Sequence, residues 1–252
     1  MIKDQRVKKI EEYVLKNQSA SLEELMEVFN VSINTIRRDV QGLVESGPFI
    51  KVYGGVSVKQ LNKLETVQER KVRNQTGKTK IGEAAIDLIE DGDIIFVDSG
   101  TTTIEMFPFL KDKDLTIVTN NIDFIVQCLP FENLNIISIG GILERKTNSL
   151  GGPQNIELLK AYNINKAFMA TTGVSLSNGV TNASPLETDL KKTIVQRSQM
   201  VYLLADHTKF GKYGLMTFCQ LDDIDCIITD EGPSDEYKEY AARHEIELLV
   251  AD

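Results

Sequence analysis

The sequence predicts two units of different class: a winged helix-turn-helix of three helices and a hairpin, then an α/β unit on a mainly parallel sheet. Three observations carry the division. Apolar residues recur three times at helical spacing within the first 46 residues and give way there to strand-like runs. From Ile81 onward, short apolar runs alternate with amphipathic helices. Charge is also partitioned: residues 1–59 hold nine Lys/Arg against eight Asp/Glu, a net +1, so in a chain of net −9 the remainder carries −10. That asymmetry marks the N-terminal part as a module of its own. The expected boundaries are residues 1–58, a helical connector over 59–80, and 81–252.

Composition excludes several classes. With 42% hydrophobic and 26% charged residues, the chain has the make-up of a folded globular protein rather than a disordered one. No apolar run approaches the about 18 residues that span a bilayer, and the first residues lack a signal-peptide core, so a cytoplasmic location with no membrane partner is expected. Cys128, Cys219 and Cys226 are odd in number and lack C-x-x-C spacing, so they read as buried, reduced thiols. With only two histidines, neither a metal nor a cofactor is expected.

In the N-terminal module Val7, Ile10 and Val14 share one face of a first helix. Ser21-Leu22-Glu23-Glu24 has capping-box spacing, and Leu22, Leu25, Met26 and Phe29 form the stripe of a second helix. After a turn at Asn30-Val31, Ser32 caps a third helix to about Glu45, buried through Ile33, Ile36, Val40, Leu43 and Val44. At about 100° per residue, Asn34, Arg38, Gln41 and Glu45 point away from that stripe, with Thr35 and Arg37 on its flanks. Arg38, Asn34 and Gln41 suit base edges, while Arg37 and Thr35 suit phosphates. Residues 49–53, a Gly54-Gly55 turn and residues 56–58 form the wing, which offers Lys51 and Tyr53 to the backbone. The candidate DNA contacts are therefore Ser32, Asn34, Thr35, Arg37, Arg38, Gln41, Lys51 and Tyr53. In the connector, Leu61, Leu64, Val67 and Val72 are the expected anchors.

The second unit offers seven strands: I-I-F-V, L-T-I-V-T, L-N-I-I-S-I, K-A-F-M-A, V-Y-L-L-A, C-I-I-T and E-L-L-V-A. Ligands of such sheets bind at strand carboxyl ends, so the residues after each run matter. After the first come Asp98, Ser99, Gly100, Thr101 and Thr102, expected to open a helix through about Leu110 and to cradle a phosphate with backbone amides and the helix dipole. The same hydroxyls also suit a plain helix cap. Asn120, Gly140 and Lys209 follow other strands. Glu187 lies in Ser184-Pro185-Leu186-Glu187, which reads as a capping box with proline at the first helical position, and a ligand role stays open beside it. Gly151 marks either a turn or a close approach to ligand.

V-S-I-N-T-I-R-R-D-V (31–40) followed by K-V-Y-G-G-V (51–56) resembles the DNA-binding signature of the DeoR family of bacterial sugar-metabolism regulators, and D-H-T-K-F-G (206–211) resembles its sensor domain. Family members usually show arginine and histidine where this wing has Lys51 and Tyr53, and Pro48 sits in the turn before it. The resemblance implies a sensor similar in fold to ribose-5-phosphate isomerase, with Lys209 and the 99–102 loop holding the phosphorylated end of a sugar and a carboxylate, Glu187, near the effector. It also implies double-stranded operator DNA as partner, a phosphorylated sugar or sugar acid as effector, and a homodimer or higher oligomer. The longer runs N-K-A-F-M-A-T-T-G and L-L-A-D-H-T-K-F-G-K resemble the branch that regulates inositol catabolism, implying a keto-deoxy sugar acid phosphate. Residue chemistry alone does not separate that from a ketohexose phosphate.

Two functional classes compete: a repressor released by its effector, and a sugar-phosphate isomerase-like enzyme. Isomerisation needs a positioned base, and the isomerases of this fold carry paired aspartates where this chain reads Ala170-Thr171-Thr172-Gly173. The regulator is the expectation.

Overall fold

The computed structural model describes residues 3–17, 19–46, 49–52, 55–58 and 67–252. It divides into two compact units, Met1–Lys63 and Leu64–Asp252. Tyr53 and the connector anchors Leu61 and Leu64 lie outside the described residues.

The first unit runs α1 (Lys3–Asn17), β1 (Ser19–Ser21), α2 (Leu22–Phe29), α3 (Ile33–Ser46), β2 (Phe49–Val52) and β3 (Gly55–Val58). Its core gathers Ile10 and Val14 from α1, Leu25 from α2, Ile36, Val40 and Leu43 from α3, and Phe49 and Val56 from the hairpin. The capping box forms: Glu24 N donates to Ser21 Oγ at 3.0 Å while Ser21 N donates to Glu24 Oε2 at 3.2 Å. Asn30, left-handed at φ 50°, ends α2 and turns the chain toward α3. Strand β1 is absent from the sequence reading, because three residues are too few to show a period. It pairs antiparallel with β3, giving the order β1-β3-β2. Gly55 permits that pairing, since a Cβ there would stand 2.4 Å from the Ala20 carbonyl oxygen. Buried Asp39 accepts a fork from Arg6, at 2.6 Å from Nε and 3.3 Å from Nη2, which ties α3 to α1.

The second unit runs α4 (Val67–Val72), α5 (Gln75–Ala84), β4 (Ile94–Val97), α6 (Phe107–Leu110), β5 (Leu115–Thr119), α7 (Ile122–Cys128), β6 (Leu134–Ser138), β7 (Ile142–Glu144), β8 (Ser149–Gly151), α8 (Ile156–Leu159), β9 (Lys166–Ala170), β10 (Gly173–Ser175), β11 (Gly179–Asn182), α9 (Pro185–Arg197), β12 (Met200–Leu204), β13 (Met216–Cys219), β14 (Cys226–Thr229), α10 (Asp235–Arg243) and β15 (Glu247–Val250). The seven expected strands form one sheet, β15-β14-β12-β9-β4-β5-β6, in which every neighbouring pair is parallel. Their apolar runs are continuous because both faces are covered. Phe96, Met169 and Leu203 face a core with Leu190 and Ile194 of α9, while Ile95, Val97, Phe168 and Tyr202 face another with Ile81 of α5 and Phe124 of α7. Two antiparallel pieces, β10-β11-β13 and β7-β8, were not read from the sequence. All three cysteines are free and buried, and burial pushes the Cys128 and Cys226 thiols up to about 12. Among the described residues no helix is long and apolar enough to cross a membrane.

Three expectations need correction. The segment after the β4 loop is helical through Leu110 as expected, but not as one α-helix: a 3-10 turn (Thr103–Met106) is followed by the single α turn of α6. Pro108 lacks the N–H that a helix interior requires, and α5 presses on the turn so closely that a Cβ on Gly82 would lie 2.6 Å from the Glu105 carbonyl carbon. Val72 is no anchor, being 76% exposed. The Ser184–Glu187 capping box does not form: Ser184 is the N-cap of α9 without a side-chain cap bond, because the Glu187 carboxylate is drawn to Ser99 and Ser149 instead.

Strand order reverses at β4. The chain steps from β4 to β5 and β6, then returns to β9 on the other side. Asp98 bridges this switch point. Fully buried, its Oδ2 accepts from Ala170 N at 2.9 Å and from Lys191 Nζ at 2.5 Å, and its Oδ1 accepts from Ser99 N at 2.8 Å. Removing one member of such a pair strands a charge in the interior. Lys191→Met is therefore expected to lower the stability of the second unit by about 3–5 kcal/mol in urea unfolding, with Asp98→Asn restoring part of the loss in the double variant. A loss below about 1 kcal/mol would show that the pair is not what fixes this crossing.

Candidate DNA-reading face and effector site

On α3 the residues spaced for groove reading are on the solvent side. Asn34, Arg37, Arg38 and Gln41 are exposed, and Thr35 is half-buried. The side chains of Asn34, Arg37 and Arg38 face solvent, whereas Gln41 donates to Glu45 Oε1 at 2.7 Å. Ser32 sits at the helix start, where its hydroxyl lies 3.0 Å from that of Thr35. Lys51 is exposed on β2. Arg37 and Arg38 stand next to Asp39, whose charge is already taken by Arg6, so the face keeps a net positive character.

In the second unit the loop after β4 is shaped by its own backbone and by Asp98. Thr103 Oγ1 donates to Asp98 O at 2.6 Å and accepts from Gly100 N at 3.0 Å. Gly100 lies so close to β9 that a Cβ would be 2.1 Å from that of Ala170. Asp98 itself is spent on Lys191 and two amides, so it shapes the loop from below. Around the loop the structure gathers two groups.

The first group is cationic. Lys78 of α5 is buried, and its ammonium donates to Thr101 Oγ1 at 3.1 Å and, through a very short contact, to the carbonyl of Arg70 in α4. Burial pushes Lys78 down to about 8; Asp206 opposes the shift, Lys209 and Arg70 reinforce it, and Glu105 opposes it. Lys209, in the 3-10 turn after β12, lies 4.0 Å from Asp206 Oδ2. Lys78, Lys209 and Arg70 thus supply a positive field beside residues 99–102.

The second group is polar and uncharged except for Glu187. Asn120 Nδ2 donates to Ser99 Oγ at 3.1 Å, Ser99 Oγ donates to Glu187 Oε1 at 3.2 Å, and Ser149 Oγ donates to the same oxygen at 2.5 Å. Ser149 arrives because residues 148–150 pair with 120–122: Ile122 N donates to Asn148 O at 3.2 Å and Leu150 N to Asn120 O at 2.9 Å. Two buried atoms of this region, Asn120 Oδ1 and Ser184 Oγ, have no hydrogen-bond partner. A buried polar atom without a partner is costly, and a ligand hydroxyl is one way to satisfy it.

The structure brings together Ser99, Gly100, Thr101, Thr102, Asn120, Glu187 and Lys209 at the strand ends around β4. Gly151 packs against α9 rather than an open space, since a Cβ would stand 3.1 Å from the Leu186 carbonyl oxygen. Gly140, at φ 65°, is a turn glycine after β6, the edge strand two removed from β4. Sequence reasoning missed Lys78, Lys191, Ser149 and Arg70. A signal existed for two of them: Lys78 falls on the stripe with Ile81 and Ala85, and Lys191 on the stripe with Glu187 and Val195, and a cation on a buried helix face needs a partner.

Two domain models match separate parts of the chain. Residues 6–62 match the DeoR-like helix-turn-helix domain and residues 73–231 the DeoR C terminal sensor domain. The chain is 44% identical to the HTH-type transcriptional regulator IolR of Bacillus subtilis (strain 168), covering 98% of each. It is 30% identical to the HTH-type transcriptional repressor GlcR of the same organism, over 100% of this chain and 98% of that protein. Among solved structures, ribose 5-phosphate isomerase A of Methanocaldococcus jannaschii aligns with 54% of this chain and 55% of its own at TM-score 0.40 and 15% identity. From the two domain matches and the full-length relatives, the chain belongs to the DeoR family of helix-turn-helix transcriptional regulators.

Proposed function

We propose that this DeoR-family chain is an operator-binding repressor of a carbohydrate-catabolism operon, released from DNA when a phosphorylated sugar or sugar acid occupies the second unit. One observation carries the reading: two lysines, one of them buried, flank a loop of hydroxyls and amides, beside buried polar atoms that have no partner of their own. A phosphoryl group matches the cations and the loop, and sugar hydroxyls match Asn120, Ser184 and Glu187. Asp98 and Gly100 act by shaping the loop, and Gly151 by letting β8, which begins at Ser149, lie on α9. Ser32, Thr35, Arg37, Lys51 and Tyr53 serve the phosphate backbone, whereas Asn34, Arg38 and Gln41 read bases, Gln41 after leaving Glu45. The names of the relatives, a regulator and a repressor, favour this role over the isomerase-like enzyme. Paired recognition helices on a two-fold operator call for a homodimer or a higher homo-oligomer.

Arg38→Ala is expected to cost about 1–3 kcal/mol at the operator and to relax base preference, whereas Arg37→Ala weakens all duplexes alike. Binding to operator and scrambled DNA at fixed salt measures both. Equal losses on the two duplexes for Arg38→Ala would remove it from the base-reading set.

Lys209→Met keeps the side chain's length and deletes its charge. It should abolish effector-driven release while leaving apo operator affinity nearly intact. Thermal shift against a panel of phosphorylated sugars identifies the effector first, because a ligand raises the melting temperature by mass action. If Lys209→Met still leaves the operator at the wild-type effector concentration, the phosphate is held elsewhere.

Lys78 adds a pH signature. Its pKa is lowered to about 8 in the free protein. A bound phosphate favours the charged form and raises that pKa, so binding takes up a proton once Lys78 has begun to deprotonate. Effector affinity should therefore fall as pH rises from about 7.5 to 9, and Lys78→Met should bind more weakly with a flatter profile. Titration calorimetry in two buffers of different ionisation heat reads the proton uptake directly.

A further inference from the structure

Helix α4 is the first element of the second unit, and in sequence it is separated from β3 of the DNA-reading unit by residues 59–66. It has no buried side chain. Polar ties hold it and the turn after it, and three of them run to segments that carry proposed effector-site residues. The Arg70 carbonyl accepts from the Lys78 ammonium, whose other partner is Thr101 of the loop. Lys71 Nζ lies 2.6 Å from Asp123 Oδ2, and Asp123 Oδ1 accepts at 2.5 Å from Asn148, the residue before Ser149. Asn74, at φ 50° between α4 and α5, donates at 2.7 Å to Asp230 Oδ2, while Asp230 Oδ1 accepts from the backbone of His207, two residues before Lys209.

Resting on the effector reading above, we propose that α4 is the element through which site occupancy leaves the second unit. Lys78 is shared between the loop and α4. A phosphate dianion is a stronger acceptor than a peptide carbonyl, so its arrival at Thr101 and Lys209 draws the ammonium from Arg70 and loosens the last turn of α4. A six-residue element with no fully buried side chain sits at the low end of local stability, so exchanging one charge-assisted hydrogen bond is enough to shift its population. Lys71 and Asp123 are then coupling residues: they set how firmly α4 is seated, from a position 2.6 Å apart and outside the loop.

Hydrogen exchange with millisecond labelling on the full chain, with and without inorganic phosphate, tests this. The expected result is slower exchange over residues 98–103 together with at least threefold faster exchange over residues 67–73. Lys71→Met should show fast exchange in α4 already without phosphate, with little further change on adding it and the same protection of the loop. A protected loop with unchanged or slower exchange in α4 overturns the coupling proposal and leaves the anion site standing. An unprotected loop at saturating phosphate overturns the anion site, and the coupling proposal falls with it.

Discussion

The second unit depends on one buried ion pair, Asp98 with Lys191, set where the order of the parallel sheet reverses. Burying a carboxylate at 0% exposure is costly unless its oxygens are satisfied, and here one ammonium and two backbone amides use them. The geometry that follows is unforgiving. The Ser99 amide is fixed to Asp98, Gly100 is pressed onto Ala170, and the Thr103 hydroxyl closes the turn by donating to the Asp98 carbonyl and accepting from the Gly100 amide. Lys191 also donates to the Ala170 carbonyl and lies 5.1 Å from the centre of the Phe218 ring, so it joins β4, β9 and β13 through one side chain. Because Glu187 sits one turn earlier on the same helix, the residue that locks the loop also locates the carboxylate that receives Ser99 and Ser149.

The strands were legible because a sheet covered on both faces leaves no polar alternation, and seven such runs separated by helical patterns admit few arrangements. The three helices of the first unit were legible for the opposite reason, that each buries a single stripe. What escaped was tertiary. Nothing in Ser19-Ala20-Ser21 announces a strand until Gly55 offers its bare backbone opposite. The capping-box spacing at Ser184 was correct as a pattern and failed as a structure, because Glu187 has a better use for its oxygens than the amide of its own N-cap. Local pattern gives way when a long-range polar partner is buried nearby. The loop residues 99–102 and Lys209 could be named from sequence, whereas Lys78 and Arg70 were not, since they come from helices that sequence alone assigned to a connector.

The charge distribution constrains both faces of the function. Residues beyond 59 carry −10, so an anion approaching the second unit meets a net repulsive field at distances within a Debye length of about 8 Å. For the proposed anionic effector, attraction would then have to be short in range and poorly screened, which is what a buried lysine provides. The same acidity works against DNA, leaving the exposed arginines of α3 to supply attraction in a module of only +1. Asp39 would cancel part of that, were it not turned inward and neutralised by Arg6. The inward acid and the outward arginines are consecutive residues, so the helix separates the two signs by its own pitch.

A regulator of this kind needs parts of unequal firmness. The sheet and the Asp98 crossing are fixed by burial on both faces and by a charge pair whose rupture is expensive, so a ligand cannot deform them with the few kcal/mol its differential affinity supplies. Helix α4 is built the other way: Val72 faces solvent, its Lys71 pair is part-exposed, and its backbone leans on an ammonium that is itself half committed to the loop. Exposed pairs of that type contribute about 0–1 kcal/mol each. On the proposed effector reading, the rigid part holds the shape that would recognise a ligand, and the marginal part is the one whose state a ligand could change.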